Sequence, residues 1–373
     1  MKYYVISGET SGDNHAARVI SELKTRDTNA QFRGMGGDQS EAAGQELIIH
    51  QKEMAIMGFV EIITSLRKIA RNLRKVKADI TAWQPEIVLL VDYPGFNFKI
   101  AQYAHNLKIP VHYYISPKVW AWKEGRIKRI KSYVDQLYTI LPFETAYFTK
   151  HNVAVKYVGN PSKETVDEYL AANDLQLDKG LAHRGGIALL PGSRKQEINT
   201  SLPIMLEAMQ NFPDYELIVA QAPGFDAAFY HAFDPNLKLI QGDMYSLLAQ
   251  SDAALVTSGT ATLETALMHV PQVVCYRMNE LSYRIGKMIV KLDYISLVNL
   301  ILDKPCVTEL IQGDFNAKRV TKELNAILYD EQTKARIKTQ YAELHGKIGT
   351  SHPSIEVANH IWQSISQNKT SPV

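Results

Sequence analysis

Residues 253–264 read AALVTSGTATLE, which joins a short apolar run to a turn of small residues and the start of a helix. The apolar run lacks polar alternation, as is typical of a strand buried on both faces of a parallel sheet. The turn leads into apolar residues at helical spacing. This order predicts one unit of a doubly wound α/β sheet, provided that similar units occur elsewhere in the chain.

Similar units occur on both sides of this stretch, where apolar runs alternate with helical segments. The runs that we interpret as strands cover residues 3–7, 87–91, 111–115, 136–140, 155–158, 187–190, 216–220, 237–240, 253–257 and 272–275. Residues 171–184 are polar and lack a clear period, so we place a linker there. The fold prediction is α/β, with two Rossmann-like domains at residues 1–165 and 185–346 that face each other across a cleft.

The composition indicates an ordinary globular protein. The chain has 373 residues. A single hydrophobic core rarely extends beyond about 250–300 residues, so two domains are expected. Hydrophobic residues make up 46% and the net charge is +2, which excludes a disordered chain and gives no overall field for nucleic acid. Cys275 and Cys306 are too few for a disulfide framework, and no apolar run approaches the roughly 18 residues of a spanning helix. We therefore expect a cytoplasmic protein that could still contact a membrane surface.

The turn Ser258-Gly259-Thr260 predicts a binding site for an anion. A turn of small residues at a helix N-terminus presents N–H groups and the positive end of the helix dipole. Glu264 follows one turn later, where its carboxylate could accept hydrogen bonds from both hydroxyls of a ribose. The alternative is an ordinary capped helix with a glutamate in its first turns.

A second turn in the same domain strengthens the nucleotide hypothesis. Gly192, Ser193 and Arg194 follow the run 187–190. Gly192 lets the backbone approach a ligand, and Arg194 offers a guanidinium suited to a diphosphate. The alternative is a βα turn with a surface arginine. Two phosphate-binding turns in one domain favour a nucleoside diphosphate.

Acidic residues mark the loop after the first strand. Glu9 and Asp13 lie in this loop, which lacks the glycine pattern of a dinucleotide site. We therefore predict an acceptor-side loop, with the glycine-rich stretch 34–37 as its neighbour. Glu9 could hold sugar hydroxyls, whereas for Asp13 a helix N-cap is the favoured interpretation.

Asp92 ends the run 87–91, where the carboxyl end of a buried strand directs it towards the predicted cleft. It is the candidate general base for an attacking hydroxyl. The alternative is a cap for the turn at Pro94. The aromatic stretch 113–122 ends the next strand and could line a sugar or acyl site, or form the edge of a core.

Residues 54–60 read MAIMGFV and lead into a segment whose apolar residues recur at helical spacing opposite Lys and Arg. A helix with one apolar and one basic face can lie on an anionic membrane surface. The residues predicted to contact lipid are Met54, Ile56, Met57, Phe59 and Val60. The alternative is a core-packed helix with a solvated basic face.

Taken together, these motifs resemble the lipid-A-disaccharide synthase family, glycosyltransferases of the two-domain type B fold. The resemblance extends from residue 7 to about residue 312. Its motifs are SGETSGD at 7–13, SPKVWAW at 116–122, LPFE at 141–144, LLPGSR at 189–194, SGTATLE at 258–264, YRM at 276–278 and DYISLVNL at 293–300. The chain departs from common family residues at Gly95, Asn160 and Val298, so the acceptor site is expected to differ in detail.

The resemblance implies an inverting transfer from UDP-2,3-diacylglucosamine to 2,3-diacylglucosamine 1-phosphate, giving a β-1,6-linked disaccharide 1-phosphate and UDP. It implies no metal and no other cofactor. It makes Asp92 the candidate general base, Glu9 an acceptor-side residue and Asn299 important for activity. It also implies nucleotide contacts by Arg194 and Glu264. Tyr276 and Arg277 would lie near the base of the nucleotide.

The resemblance further implies work at the inner face of the cytoplasmic membrane. A final helix at 352–367 would complete the first domain, and a homodimer could exchange its C-terminal elements. Two other functions stay open on the sequence alone. One is a hydrolysing UDP-sugar 2-epimerase of the same fold, and the other is a non-catalytic UDP-binding protein.

Overall fold

The computed structural model describes residues 1–54, 62–122, 124–175, 185–289 and 292–370. Contacts within the chain divide it into two units. The first unit comprises Met1–Pro161 and Thr350–Val373, and the second comprises Ser162–Gly349.

The first unit contains a parallel sheet. In its described part, the strands are β1 (Lys2–Ser7), β2 (Gln31–Gly36), β3 (Gln45–His50), β4 (Ile87–Val91), β5 (Val111–Tyr114), β6 (Gln136–Thr139) and β7 (Val155–Tyr157). The helices are α1 (Thr10–Arg26), α2 (Asp38–Ala42), α3 (Ile62–Trp83), α4 (Pro94–Asn106), α5 (Ile127–Tyr133) and α6 (Pro142–Lys150). Single 3-10 turns lie at Gln51–Met54 and Glu124–Arg126. The strand order is β3-β2-β1-β4-β5-β6-β7, and all pairs are parallel.

The second unit repeats this architecture. It begins with α7 (Pro161–Ala172), and its described strands are β8 (Gly186–Leu190), β9 (Glu216–Gln221), β10 (Lys238–Gln241), β11 (Ser251–Thr257), β12 (Gln272–Tyr276) and β13 (Thr308–Ile311). Its further helices are α8 (Lys195–Met209), α9 (Ala227–His231), α10 (Met244–Ala249), α11 (Thr260–Leu267), α12 (Glu280–Ile289), α13 (Leu297–Leu302), α14 (Ala317–Tyr329) and α15 (Glu331–Ile348). A 3-10 turn lies at Gln312–Asp314. The parallel order is β10-β9-β8-β11-β12-β13.

The final helix, α16 (Pro353–Thr370), belongs to the first unit. Alternate residues of β1 enter two cores on opposite faces of the first sheet. Tyr4 and Ile6 join one core with residues of α3 and α4, whereas Tyr3 and Val5 join the other with residues of α1 and α16. Burial on both faces is the reason why the strands read as continuous apolar runs.

Strands β2, β3 and β13 were not predicted from the sequence. In β2, Gly34 has a φ of +144°, and a Cβ there would lie 2.1 Å from the carbonyl oxygen of Val5. A glycine is therefore needed where β2 pairs with β1, and it interrupts the apolar pattern that identifies a strand. Residues 34–36 of the stretch 34–37, which the sequence analysis named as the neighbour of the first loop, lie in β2.

The first unit ends at Pro161, whereas the sequence placed the end of the first domain at residue 165. Helix α7 instead contacts the second unit. The Ser162 hydroxyl donates to Oε1 of Glu264 at 3.3 Å, and the rings of Tyr169 and Tyr245 have centroids 5.3 Å apart. These contacts explain why the division falls after Pro161, the first residue of α7.

Candidate functional site

The carboxyl ends of four neighbouring strands of the second unit border one cavity of about 470 Å³. The strands are β10, β9, β8 and β11, in that spatial order. The cavity brings together the two turns that the sequence singled out. Its lining from these turns is Gly192, Ser193, Arg194, Ser258, Gly259 and Thr260. A crevice outside the carboxyl ends of parallel strands is the usual ligand site of a doubly wound fold.

The turn before α8 is closed by Glu197. Its Oε2 accepts from the backbone N–H groups of Ser193 at 3.1 Å and Arg194 at 3.2 Å, and its Oε1 accepts from Nη1 of Arg194 at 2.9 Å. Gly192 has a φ of +112°, and a Cβ there would lie 2.7 Å from Glu197. The backbone N–H groups are thus used within the protein. The Arg194 side chain is 82% exposed and carries the positive charge that this turn offers to a ligand.

The turn before α11 presents a helix N-terminus to the cavity. Gly259 and Thr260 are exposed, and the first N–H groups of a helix lack partners within it. The Ser258 hydroxyl does not add a donor to the cavity, because it donates to the carbonyl oxygen of Ile295 at 3.2 Å. This turn therefore offers backbone N–H groups and the helix dipole.

Glu264 lies one turn into α11, and it is not among the described residues that line the cavity. Its Oε1 accepts from the hydroxyls of Tyr245 at 3.2 Å and Ser162 at 3.3 Å. Burial raises the pKa of this carboxyl, and the two hydroxyl donors act in the opposite direction.

Tyr276 and Arg277 also fall outside the described lining of the cavity. Burial raises the pKa of the Tyr276 hydroxyl, the charge of Glu197 raises it further, and Arg194 opposes this. Tyr276 is thus electrostatically linked to the turn before α8. Arg277 is exposed.

Asn299 is 1% exposed in α13, and the protein itself satisfies its side chain. Nδ2 donates to the carbonyl of Val307 and to Oε1 of Glu309, both at 2.9 Å. Oδ1 accepts from the N–H groups of Cys306 at 2.8 Å and Val307 at 3.0 Å. The structure therefore places Asn299 in an internal network rather than in the cavity.

In the first unit, Asp92 directly follows β4. Asp92 and Tyr93 have φ values of 45° and 48°, the left-handed conformation that non-glycine residues rarely adopt. Burial raises the pKa of the Asp92 carboxyl, and the negative charge of Glu9 raises it further. Lys118 acts in the opposite direction, as does the backbone N–H of Tyr93. A half-buried carboxylate with a raised pKa is suited to general base catalysis.

Glu9 is exposed and immediately precedes α1. Its charge also contributes to raising the pKa of Tyr93, after burial. The Tyr93 ring lies over Gly8, where a Cβ would be 2.3 Å from Cδ1 of the ring. The structure thus brings the first loop and the end of β4 together.

Asp13 has a structural role. It is buried, and its carboxylate accepts from the N–H groups of Gly37 at 2.7 Å, Gln39 at 3.0 Å and Ser40 at 3.3 Å. The sequence analysis favoured a helix cap for this residue. The helix that it caps is α2, not its own helix α1, which the sequence spacing could not reveal.

The motifs at 116–122 and 141–144 are joined by Glu144, which the sequence analysis did not single out. This residue is 1% exposed. It accepts from Oγ of Ser116 at 2.6 Å, Nε1 of Trp120 at 2.9 Å and the N–H of Leu141 at 3.1 Å. Burial raises the pKa of Glu144, and these donors oppose the shift. The network fixes the aromatic loop after β5.

The predicted lipid-contact residues Ile56, Met57, Phe59 and Val60 lie outside the described residues, and Met54 ends the 3-10 turn at Gln51–Met54. In the helix that follows, the large apolar side chains that the structure describes pack inward. Those buried in the first core are Leu73, Val76 and Ile80. Residues on the other side of α3 are exposed, among them Arg67, Arg71, Arg74 and Lys75. The described part of α3 therefore has the core-packed arrangement that the sequence analysis gave as the alternative.

Neither a helix long and apolar enough to cross a membrane nor a cluster of three or more potential metal ligands occurs among the described residues.

Comparison with known proteins identifies the family. The family model described as Lipid-A-disaccharide synthetase matches residues 3–359. The chain belongs to this family. The lipid-A-disaccharide synthase of Syntrophus aciditrophicus is 37% identical over 355 residues, which cover 92% of this chain and 93% of the relative. That of Myxococcus xanthus is 34% identical over 368 residues, or 96% of each chain.

Solved structures confirm the predicted type B fold. The S. aureus MnaA protein, in a co-structure with UDP, has a TM-score of 0.68 at 12% identity and covers 100% of this chain and 98% of its own. The UDP-GlcNAc 2-epimerase of Neisseria meningitidis, bound to UDP-GlcNAc, has a TM-score of 0.58 at 14% identity, with coverage of 99% and 100%. The calicheamicin glycosyltransferase CalG4 has a TM-score of 0.62 at 12% identity, with coverage of 100% and 98%. Identities this low show the fold alone.

Membership of the lipid-A-disaccharide synthetase family confirms the prediction of a glycosyltransferase. The chain is a hexosyltransferase of lipid A biosynthesis that acts on a UDP-sugar and a lipid substrate. The epimerase alternative is not favoured, because the epimerase shares the fold at 14% identity whereas the synthases share 34–37%.

Proposed function

We propose that the enzyme transfers the diacylglucosaminyl group of UDP-2,3-diacylglucosamine to the 6-hydroxyl of 2,3-diacylglucosamine 1-phosphate. The products are the β-1,6-linked disaccharide 1-phosphate and UDP. Family membership supports the reaction class. The observation that carries the donor assignment is the single cavity in which the Arg194 turn and the N-terminus of α11 meet.

The second unit would bind the donor. The Arg194 guanidinium and the N–H groups at the start of α11 would hold the diphosphate, since both attract anions and need no metal ion to do so. The same groups would stabilise the charge that develops on the departing UDP. Glu264 would accept from the ribose hydroxyls, in exchange for its present donors on Tyr245 and Ser162.

The first unit would supply the base. The acceptor O6 forms a bond to C1 of the donor sugar while the bond between C1 and the β-phosphate oxygen breaks. UDP leaves with the bonding electron pair, and the hydroxyl proton moves to the Asp92 carboxylate. One in-line displacement converts the α-linked donor into a β-linked product. The raised pKa of Asp92 supports this role, and the exposed Glu9 beside it is suited to acceptor hydroxyls.

We further propose that residues 54–60 contact the anionic inner surface of the cytoplasmic membrane. The exposed basic residues of α3, whose apolar face is already used by the core, would add electrostatic attraction to lipid headgroups. Both substrates carry acyl chains in this proposal, so a membrane-bound enzyme would meet them where they reside.

A mass-resolved assay with the donor and the acceptor tests the reaction. A disaccharide phosphate that forms only when both substrates are present is the expected result. Free sugar released from the donor without disaccharide would favour an epimerase-type reaction. UDP binding in calorimetry without any product would favour a non-catalytic nucleotide-binding protein.

A further inference from the structure

Glu309 in β13 holds the loop that precedes α13. Its Oε2 accepts from the N–H of Ile295 and its Oε1 from the N–H of Ser296, both at 2.9 Å. The same Oε1 accepts from Nδ2 of Asn299 at 2.9 Å. One half-buried carboxylate thus fixes two successive backbone groups of the loop and one side chain of the helix.

Asn299 fixes the other side of this arrangement. Its Oδ1 and Nδ2 bind the backbone of residues 306–307, which lead directly into β13. Its own N–H donates to Oγ of Ser296 at 3.2 Å, and Ser296 is fully buried. The start of α13, the loop at 295–296 and the entry to β13 therefore form one hydrogen-bonded block.

A hydrogen bond links this block to a residue that lines the cavity. The carbonyl oxygen of Ile295 accepts from Oγ of Ser258 at 3.2 Å, and Ser258 lines the cavity immediately before α11. The N–H of Ser258 donates to the carbonyl of Cys275 at 3.3 Å. The hydroxyl bond to Ile295 thus adds a second attachment, on the side of α13.

We propose that Glu309 and Asn299 are positioning residues of the donor site. They hold the Ile295 carbonyl where it anchors the Ser258 hydroxyl, and this anchor sets the direction of the α11 N-terminus towards the cavity. The inference rests on the proposed function, because only a bound diphosphate gives that direction a use. It also gives Asn299, which the resemblance implies is important for activity, a role that needs no contact with the substrates.

The first experiment uses the full chain without ligand. Glu309→Gln keeps the side-chain shape, but its amide nitrogen cannot accept, so at least one of the three bonds is lost. Hydrogen exchange should become faster at residues 258–262 in this variant and in Ser258→Ala. Ser258→Thr keeps the hydroxyl and should exchange like the natural protein.

The matched control is Glu323→Gln. Glu323 accepts a hydrogen bond at 3.2 Å from the hydroxyl of Thr308, the residue before Glu309. It also forms an ion pair with Arg319. These two contacts are separate from the hydrogen bonds of the block, so the variant tests general loosening of β13 and α14. Unchanged exchange at 258–262 in Glu309→Gln, or equal acceleration in Glu323→Gln, would overturn the proposal.

The second experiment measures UDP affinity by calorimetry and the Michaelis constant for the donor. Glu309→Gln loses hydrogen bonds that the charged carboxylate accepts, and the donor site is then less well positioned. UDP binding should weaken about tenfold, and the Michaelis constant for the donor should rise by a similar factor. Both changes disrupt the same chain of hydrogen bonds. The double variant Ser258→Ala, Glu309→Gln should therefore bind UDP no more weakly than the weaker-binding single variant. Effects that multiply would overturn the proposal. If the natural protein bound no UDP, the donor assignment would fail, and the exchange experiment would still decide whether the block anchors Ser258.

Discussion

The side-chain amide of Asn97 donates a hydrogen bond to the main-chain carbonyl of Asp92 at 2.6 Å. The Tyr113 hydroxyl donates to the same carbonyl, and the N–H of Asp92 donates to the main-chain carbonyl of Tyr114 at 3.0 Å. Asp92 and Tyr93 both have left-handed backbones, which cost about 1–2 kcal/mol per non-glycine residue. The buried partners therefore over-determine a turn that the backbone alone disfavours, and this turn carries the candidate base.

Replacement of Asn97 by Ala should lower kcat about tenfold without a change in UDP affinity. The lost bond lets the turn relax, and a small misplacement of a catalytic group is costly. Steady-state kinetics and calorimetry with UDP measure the two quantities. Tyr103→Phe is a matched control, since it removes a hydroxyl of the same unit that bonds to Thr81 at 2.7 Å. An equal loss of kcat in both variants would contradict a specific role of Asn97.

Asp92→Asn should reduce turnover by about 10²–10⁴-fold, as is usual for loss of a general base. Asparagine has a similar shape and is neutral, and burial disfavours the ionised carboxyl, so thermal stability should not fall. Product formation by mass spectrometry and the unfolding temperature check the two parts. Turnover like that of the natural protein would remove Asp92 from this role.

The sequence was sufficient for the fold where strands are buried on both faces. Strands β4 and β11 are continuous apolar runs, because helices cover both sides of each sheet. It failed for β2, where the close approach of β1 demands Gly34, and for β13, whose residues Thr308 and Glu309 are polar. In β13 the polar character has a cause, since Glu309 binds the loop before α13.

The sequence was sufficient to predict that the candidate site lies at the carboxyl ends of strands. Parallel strands bring their carboxyl ends to one edge, so the Arg194 and Ser258 turns were expected at the same edge; they are neighbours because β8 pairs with β11. The sequence could not show which polar atoms the protein itself uses. Glu197 occupies the backbone N–H groups beside Arg194, and Asn299 is satisfied internally. Such pairings depend on side-chain geometry rather than on residue type.

Glu144→Gln should lower the free energy of unfolding by about 1–3 kcal/mol, the cost of leaving buried donors without an acceptor. The amide keeps one acceptor oxygen and turns its N–H₂ group towards donors such as Ser116 and Trp120. Urea unfolding followed by tryptophan fluorescence measures this loss. Glu124→Gln is the control, because Glu124 is exposed on the surface of the same unit. Equal stability of both variants would show that the Glu144 network adds nothing.

Replacement of Met57 and Phe59 by Ser should reduce sedimentation with vesicles that contain anionic phospholipid. Activity on short-chain soluble substrates should persist, because the change removes lipid contact only. Tyr329→Ser is the control, since Tyr329 is a large side chain that is 58% exposed in the other unit. Unchanged sedimentation of the double variant would exclude residues 54–60 as the membrane contact.

The acid limb of the pH dependence of kcat/KM should move in opposite directions when a negative or a positive neighbour of Asp92 is neutralised. Asp92 must be ionised to accept a proton, so kcat/KM falls as the pH decreases through its pKa, which lies above the usual value of about 3.9. Glu9→Gln removes a negative neighbour and should move the limb to lower pH. Lys118→Met removes a positive neighbour and should move it to higher pH, in each case by up to about one unit. Lys128→Met, at an exposed position of α5, should leave the limb in place. Shifts of the same sign in the Glu9 and Lys118 variants would mean that the titrating group is not Asp92.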